Sequence, residues 1–420
     1  MNSASVLVPL LFILSANDGD KSEAKFPVTG EAVPELEALD TLMTDFMHEH
    51  KVPGAALAVT KDGRLVYARG FGYSDVEGKK PVEPRSLFRL ASVTKPFTGA
   101  AILQLIDQGK LRMDDKVFDL LKLEPLLEDG AKFDPRWKEV TVEQILHHRG
   151  GWDRDVSGDP MFMPIKIAKA FKADPPASQE QIIRYMMGKP LDHDPGKKEV
   201  YSNFGYCVLG RVIERASGEK YEDYVKKHVL KPIGVTTMRL GRTLEEKRAP
   251  GEVKYYDRHT GKAVLGPNLG KQVPAPYGAW NLEAMDAHGG WIASAVDVAR
   301  FASALDDAKR FPALGGNFTQ RAFKRDYEHR GALDGTSTLM ARPNIDGVTY
   351  VVLFNARKGP DEKKELADLI NPELKKNAWR REEMAGGRLV QQVFALIRPC
   401  FINPSLAPPA SRPTMTAPIS

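Results

Sequence analysis

The chain carries only two cysteines in 420 residues, Cys207 and Cys400. That excludes a disulfide framework and a zinc site. Long apolar runs are also missing, and none reaches the ~20 residues needed to cross a bilayer as a helix. The positive excess is only +5. No basic run is interleaved with aromatic residues, which argues against nucleic acid as a partner. No internal repeat is present. What remains is ordinary globular composition, 42% hydrophobic and 27% charged. The length suffices for a sizeable core, two lobes and tails.

The stretch from Leu90 to Lys110 stands out. Phe97 to Ile106 is apolar almost all round, which marks a helix buried on most sides. Pro96 is tolerable only in a first turn, so the helix is expected to begin near Ser92, and Gly109 stops it. Ser92 and Lys95 then share a face. A serine hydroxyl becomes a nucleophile when a base takes its proton, and a lysine serves as that base once desolvation lowers its pKa. Alone, Ser-x-x-Lys also fits a capping serine followed by a surface lysine.

Elsewhere the pattern gives a helix over residues 35–50, then strands over 55–60 and 64–70 joined by Lys61-Asp62-Gly63, a hairpin signal. Helical segments follow at 116–121, 141–148, 179–187, 206–217 and 221–229. Gly150-Gly151 opens a long loop, and residues 241–277 read as loops with a small hairpin. A helix at 295–305 precedes strands at 333–341 and 348–356 and a helix at 363–370. Residues 389–397 form an apolar patch, and the Pro-, Ser- and Thr-rich end from 403 reads as disordered. Two strands cannot form a stable sheet alone, so the first pair is expected to join the late strands. The expected fold is α/β (α+β): an antiparallel sheet flanked by helices, with an inserted helical lobe. Residues 30–90 and 286–372 make one discontinuous lobe, 91–285 the other, and 373–420 an extension. A site at the seam is the default.

Two more motifs fall near that seam. Tyr201-Ser202-Asn203 follows the turn Asp194-Pro195-Gly196. A phenol beside a lysine shuttles protons, and an asparagine amide holds a carbonyl; a turn tyrosine with a capping asparagine fits the same residues. His329-Arg330-Gly331 lies just ahead of the expected strand at 333–341, where a glycine lets a ligand approach the backbone. The remaining histidines read as structural: His147 and His148 are adjacent and cannot share a helix face, and His193 reads as a loop residue. Cys207 reads as a buried thiol.

Together, Ser92-Val-Thr-Lys95, Tyr201-Ser-Asn203 and His329-Arg-Gly331 resemble the Ser-x-x-Lys, Tyr-x-Asn and Lys/His-Thr-Gly elements of class C β-lactamases. They look equally like those of D-alanyl-D-alanine peptidases and β-lactamase-fold esterases. The resemblance extends over residues 35–370, through Ile145-Leu-His-His-Arg-Gly-Gly151 and His288-Gly-Gly-Trp-Ile-Ala-Ser294. It implies a serine hydrolase that forms an acyl-enzyme on Ser92 without metal or cofactor. Lys95 and Tyr201 would share the proton work, and Asn203 would position substrate. The N–H groups of Ser92 and Ala332 would form the oxyanion hole. The third motif departs from the pattern: His329 stands where β-lactamases usually carry lysine, although peptidases and esterases of this family often have histidine, and Arg330 replaces the small threonine that helps receive a carboxylate. The expected substrate is therefore a small ester or amide, with a β-lactam or a D-alanyl-D-alanine peptide as the alternative and a non-catalytic scaffold as a third reading. The resemblance, with the apolar run Val6 to Leu14, also suggests export, although no basic residue precedes that run and no clean cleavage site follows it. The oligomeric state is left open.

Overall fold

The computed structural model describes residues 26–305, 314–316, 326–357 and 362–376. The readings placed on residues 6–14, 389–397 and 403–420 lie outside them. Strand β1 (Val28–Thr29) precedes helix α1 (Glu37–His50), whose buried Leu39, Met43, Phe46 and Met47 lie along one face. Strands β2 (Gly54–Lys61) and β3 (Arg64–Asp75) follow as a hairpin. Its two central residues, Asp62 and Gly63, have φ of 50° and 72°, the left-handed pair that a tight right-twisting hairpin needs. After β4 (Lys80–Pro81) and β5 (Phe88–Arg89) comes α2 (Lys95–Asp107), buried on nearly every side.

The middle of the chain is mostly helical. It holds α3 (Val117–Leu121), α4 (Val142–Leu146), α5 (Pro164–Ala170), α6 (Gln179–Met187), α7 (Asn203–Ser217) and α8 (Tyr221–Tyr224). Ser178 and Thr141 cap α6 and α4 with full capping boxes, and Gly218 ends α7 at φ 74°. The helix expected at 221–229 divides: α8 gives way to a π-helical turn over Val225–Leu230. Beyond β6 (Arg239–Leu240), β7 (Thr260–Lys262) and β8 (Gln272–Pro274) form the small hairpin expected in the Gly- and Pro-rich stretch. Strand β9 (Trp291–Ala293) and helix α9 (Ala295–Ala304) lead to β10 (Tyr327–Leu333), β11 (Thr336–Arg342), β12 (Val348–Phe354) and α10 (Glu362–Lys376).

The main sheet runs β1-β3-β2-β12-β11-β10, with every pairing antiparallel. The first hairpin thus lies directly against a late strand. Side chains alternate across the sheet. Ala55, Leu57, Val59, Tyr350 and Val352 pack on the outer layer of α1 and α10, while Ala56, Ala58, Val351 and Leu353 pack inward with α2 and α9. Strand β12 is buried along its whole length, which is why it reads as a continuous apolar run.

The third motif departs from its expected place. His329-Arg330-Gly331 lies within strand β10, and the residues expected as the next strand are the second arm of a hairpin. The turn is Asp334-Gly335, where Gly335 has φ 78° and donates its N–H to Asp257 Oδ2 at 2.7 Å. As an edge strand β10 is only partly buried, so its sequence lacks an apolar signature.

Candidate active site

Ser92 sits in a single 3-10 turn, Ala91–Thr94, and regular α-helix starts only at Lys95. Pro96 falls in the first turn of α2, where its missing N–H costs nothing. Ala91 has φ 47°, a left-handed conformation unusual for a residue with a side chain, immediately before the serine. The surroundings hold this turn in place. Leu90 donates its N–H to Trp291 O at 2.8 Å, and the hydroxyls of Thr338 and Thr336 donate to Leu90 O and Arg89 O at 2.8 and 2.9 Å. Arg89 is fully buried; it donates to Pro276 O at 2.6 Å and Arg242 O at 2.7 Å and lies over the Tyr255 ring. Gly331 abuts the same turn. A Cβ there would come within 2.3 Å of Thr338 Oγ1, 2.4 Å of Leu90 O and 2.9 Å of Ser92 N.

Lys95 is buried at 1% exposure. Its Nζ lies 3.3 Å from Ser92 Oγ, 2.8 Å from Asn203 Oδ1 and 3.1 Å from His288 O. Burial holds this amine well below the usual lysine range; Asp159 opposes that effect and Arg154 adds to it. Tyr201 donates its hydroxyl to Ser92 Oγ at 2.6 Å. Burial pushes the phenol up to about 12, against the pull of the Ser92 hydrogen bond and of Arg154. Both shifts favour uncharged groups beside the serine.

Asn203 begins α7 after the Ser202 cap, and both ends of its amide are engaged: Oδ1 faces Lys95, and Nδ2 donates to Asp159 Oδ2 at 2.7 Å. One amide hydrogen remains for a ligand. Ser92, Tyr201, Asn203, Arg154, Asp159 and Ala332 line a cavity of about 320 Å³.

His329 and Gly331 face the same side of the sheet, opposite Met340 and Thr338. His329 Nδ1 lies 3.2 Å from the Tyr327 hydroxyl, and its side chain is not among those lining the cavity. Arg330 points to the other face, where it pairs with Glu328, so the structure does not bring Arg330 to Ser92. It lines instead a larger cavity of about 1060 Å³ at the end of the sheet, which shares Ala332 and Arg357 with the Ser92 cavity.

Several residues here escaped the sequence reading. His148 lies against Tyr201, its ring tilted by 38° with centroids 4.8 Å apart, and its Nδ1 accepts the Ser202 N–H at 3.2 Å. Burial pushes its pKa down to about 4. Asp159 and Arg154 come from the loop after Gly151, and His288 enters by its carbonyl. An Asp-Pro pair at 159–160 signals a helical turn, but nothing in it signals a site. Among the described residues, Asp257, His259 and Asp334 could together hold a metal ion, as could Glu49, His50 and Glu365; neither group includes Ser92, Lys95 or Tyr201.

Comparison with known proteins gives the same picture. The chain is 32% identical over 238 residues to "Penicillin-binding protein 4*" of Bacillus subtilis (strain 168), covering 55% of this chain and 48% of that one. It is 28% identical over 197 residues to "Protein flp" of Staphylococcus aureus (strain MW2), covering 47% and 36%. The chain therefore matches half or less of the length of these curated relatives. The fold is similar to that of D-amino acid amidase from Ochrobactrum anthropi SV3, with a TM-score of 0.62 at 20% identity over 81% of this chain and 99% of the amidase. The Beta-lactamase family model matches residues 39–375, a span that takes in Ser92, Lys95, Tyr201, Asn203 and the β10 motif. No helix among the described residues is long and apolar enough to cross a membrane. On this match and this fold, the chain belongs to the Beta-lactamase family.

Proposed function

We propose that the chain is a serine hydrolase that forms an acyl-enzyme on Ser92 and acts on short esters or small amides. The observation that carries this is the placement of Ser92 Oγ between Lys95 Nζ and the Tyr201 hydroxyl. A neutral lysine has two hydrogens and one lone pair. The hydrogens have acceptors in Asn203 Oδ1 and His288 O, which leaves the lone pair for the serine proton. Lys95 is then the base, and the neutral Tyr201 passes a proton toward the leaving group. Ser92 Oγ bonds to the substrate carbonyl carbon as its proton moves to Lys95. The carbonyl oxygen becomes an oxyanion held by the N–H groups of Ser92 and Ala332, a role supported by how closely Gly331 approaches the Ser92 backbone. The bond to the leaving group breaks as that group takes a proton through Tyr201. Water then attacks the acyl-enzyme by the same route, giving up its proton to the relay, and Ser92 is regenerated with release of the acid.

Preference for neutral substrates rests on the outward turn of Arg330 and on the Tyr327 contact of His329. The likeness to Penicillin-binding protein 4* favours a second reading, reaction with penicillins, and intact-protein mass spectrometry distinguishes the two. Exposure to a fluorophosphonate, a short p-nitrophenyl ester or a penicillin should add mass with the first two and little with the third. Ser92→Ala should remove both labelling and turnover while the fold persists; a labelled Ser92→Ala protein defeats the assignment. Export is part of the proposal, and N-terminal sequencing of protein recovered outside the producing cell tests it.

A further inference from the structure

The loop from Asp153 to Pro160 brings two side chains of opposite charge to the Ser92 cavity. Arg154 sets its guanidinium 5.3 Å from the centroid of the Tyr201 ring. It is exposed, yet it forms no ion pair among the described residues. Asp159 accepts from Asn203 Nδ2 at 2.7 Å, and the other end of that amide holds Lys95. The loop's backbone is pinned apart from the site. Buried Asp153 accepts from Lys198 Nζ at 2.9 Å, lies 3.1 Å from His193 Nε2 and accepts the Asp155 N–H at 2.9 Å. Asp192 Oδ2 accepts the Asp153 N–H at 2.6 Å and the Ser157 hydroxyl at 2.8 Å. The two charges are therefore carried on a tethered backbone.

We propose that Arg154 and Asp159 are positioning residues that together set the protonation balance of Ser92, Lys95 and Tyr201, Arg154 favouring the neutral lysine and Asp159 the charged one. The proposal rests on the serine-hydrolase reading. A fixed cation near Lys95 disfavours a second one, and a fixed anion favours it. The directions agree: Arg154 lowers and Asp159 raises the pKa of Lys95, and both act in the same senses on Tyr201. Asp155 of the loop, Asp334 and Arg357 also line the cavity, and Arg357 pairs with Asp334 at 3.2 Å. The buried titratable groups beside this pair are His148, His288, Tyr206 and Tyr327. Burial holds both histidines low and both phenols high, so all four are uncharged near neutral pH. Of the charges lining the cavity, Arg154 and Asp159 are the ones that act on Lys95. The two charges serve different moments: Arg154 keeps the base free to accept the serine proton, and Asp159, through Asn203, stabilises the ammonium once it forms.

The test is the rate of fluorophosphonate labelling of Ser92 against pH, with kcat/KM for p-nitrophenyl acetate measured in parallel. Arg154→Met should move the acid limb up by about one pH unit, and Arg154→Lys should return it. Asp159→Asn should move it down by a similar amount. A merely structural role would lower the rate at every pH and leave the limb in place. Limbs that stay fixed, or move the same way in both variants, overturn the assignment. If Asp159→Asn does not fold by circular dichroism, the Arg154 pair decides alone, because that side chain is exposed and makes no hydrogen bond among the described residues. A wild type that is never labelled refutes the nucleophile itself; a labelled wild type with unmoved limbs refutes only the loop's role.

Discussion

The two faces of β10 show how differently neighbouring residues of one strand are constrained. Gly331 on the inner face abuts the Ser92 turn so closely that a methyl group has no space. Arg330, one residue earlier, faces the outer layer, pairs with Glu328 and is about one-third exposed. The inner face is fixed by what it touches, and Arg330 on the outer face is tied by an ion pair with Glu328. Proximity in sequence to a motif is therefore a poor guide to a role in the site; the parity of the strand decides.

The largest effect that would sharpen this contrast lies on the inner side. Lys95→Met and Tyr201→Phe should each reduce turnover about a thousandfold or more, and the double variant should lose little beyond either single one, because members of one proton-transfer unit are not additive. Multiplicative losses in the double variant would show two independent groups.

Gly331→Ala should come next. The added carbon must displace Leu90 O, Thr338 Oγ1 or the Ser92 N–H. Overpacking of this kind costs about 1–3 kcal/mol of stability, and it would also shift the backbone on which the proposed oxyanion hole depends. Urea midpoints and kcat should fall together, and an unaffected kcat would break the comparison.

A smaller effect concerns pH. His148 titrates at about 4 in the folded chain against 6.5 ordinarily. Between those values the unfolded chain binds the proton and the folded one does not, so stability is full above 6.5 and is lost as pH falls toward 4. His148→Asn should flatten the dependence of the urea midpoint on pH in that window. Asparagine also suits the left-handed φ of 55° at this position. An unchanged slope would mean that other groups govern it.

The smallest effect belongs to the outer face. Arg330→Thr should change kcat/KM on neutral esters and on carboxylate-bearing substrates alike by less than about fivefold, as exposed ion pairs contribute at most about 1 kcal/mol. Arg330 stands where the resemblance expects a small threonine that helps receive a carboxylate, so a selective gain on carboxylate-bearing substrates would mean that the arginine reaches the cleft from the far side and the two faces are not separate.

Much of this architecture was legible before the structure, for reasons that can be named. Residues 179–187 gave α6 because Ser178 and Gln181 form a capping box around an apolar face. The hairpin at Lys61-Asp62-Gly63 and the buried β12 carried strong local signals. The pairing of the first hairpin with late strands followed from its inability to stand alone. Ser92, Lys95 and Tyr201 are brought together as their spacing and order suggested. The start of α2 was misplaced by a turn because the first residues adopt 3-10 geometry, which a 3.6-residue period cannot distinguish. Strand β10 was missed because an edge strand has no apolar alternation to show. His148, Arg154 and Asp159 were not found because their importance comes from tertiary contact with Tyr201 and Asn203, and an isolated Asp, Arg or His carries no local mark of that.

The order of strands in the sheet has a consequence in time. Lys61 pairs with Val348 and Ala55 with Phe354, so β2 waits for β12 until most of the chain has been synthesised. Contacts so distant in sequence form slowly, because a very long loop must close before they are rewarded. Through that interval the hairpin presents an apolar edge with unpaired backbone groups, the kind of surface on which nascent chains associate wrongly. Supplying residues 326–376 as a separate peptide during refolding, or delaying their release, should therefore change the yield of native protein far more than its final stability.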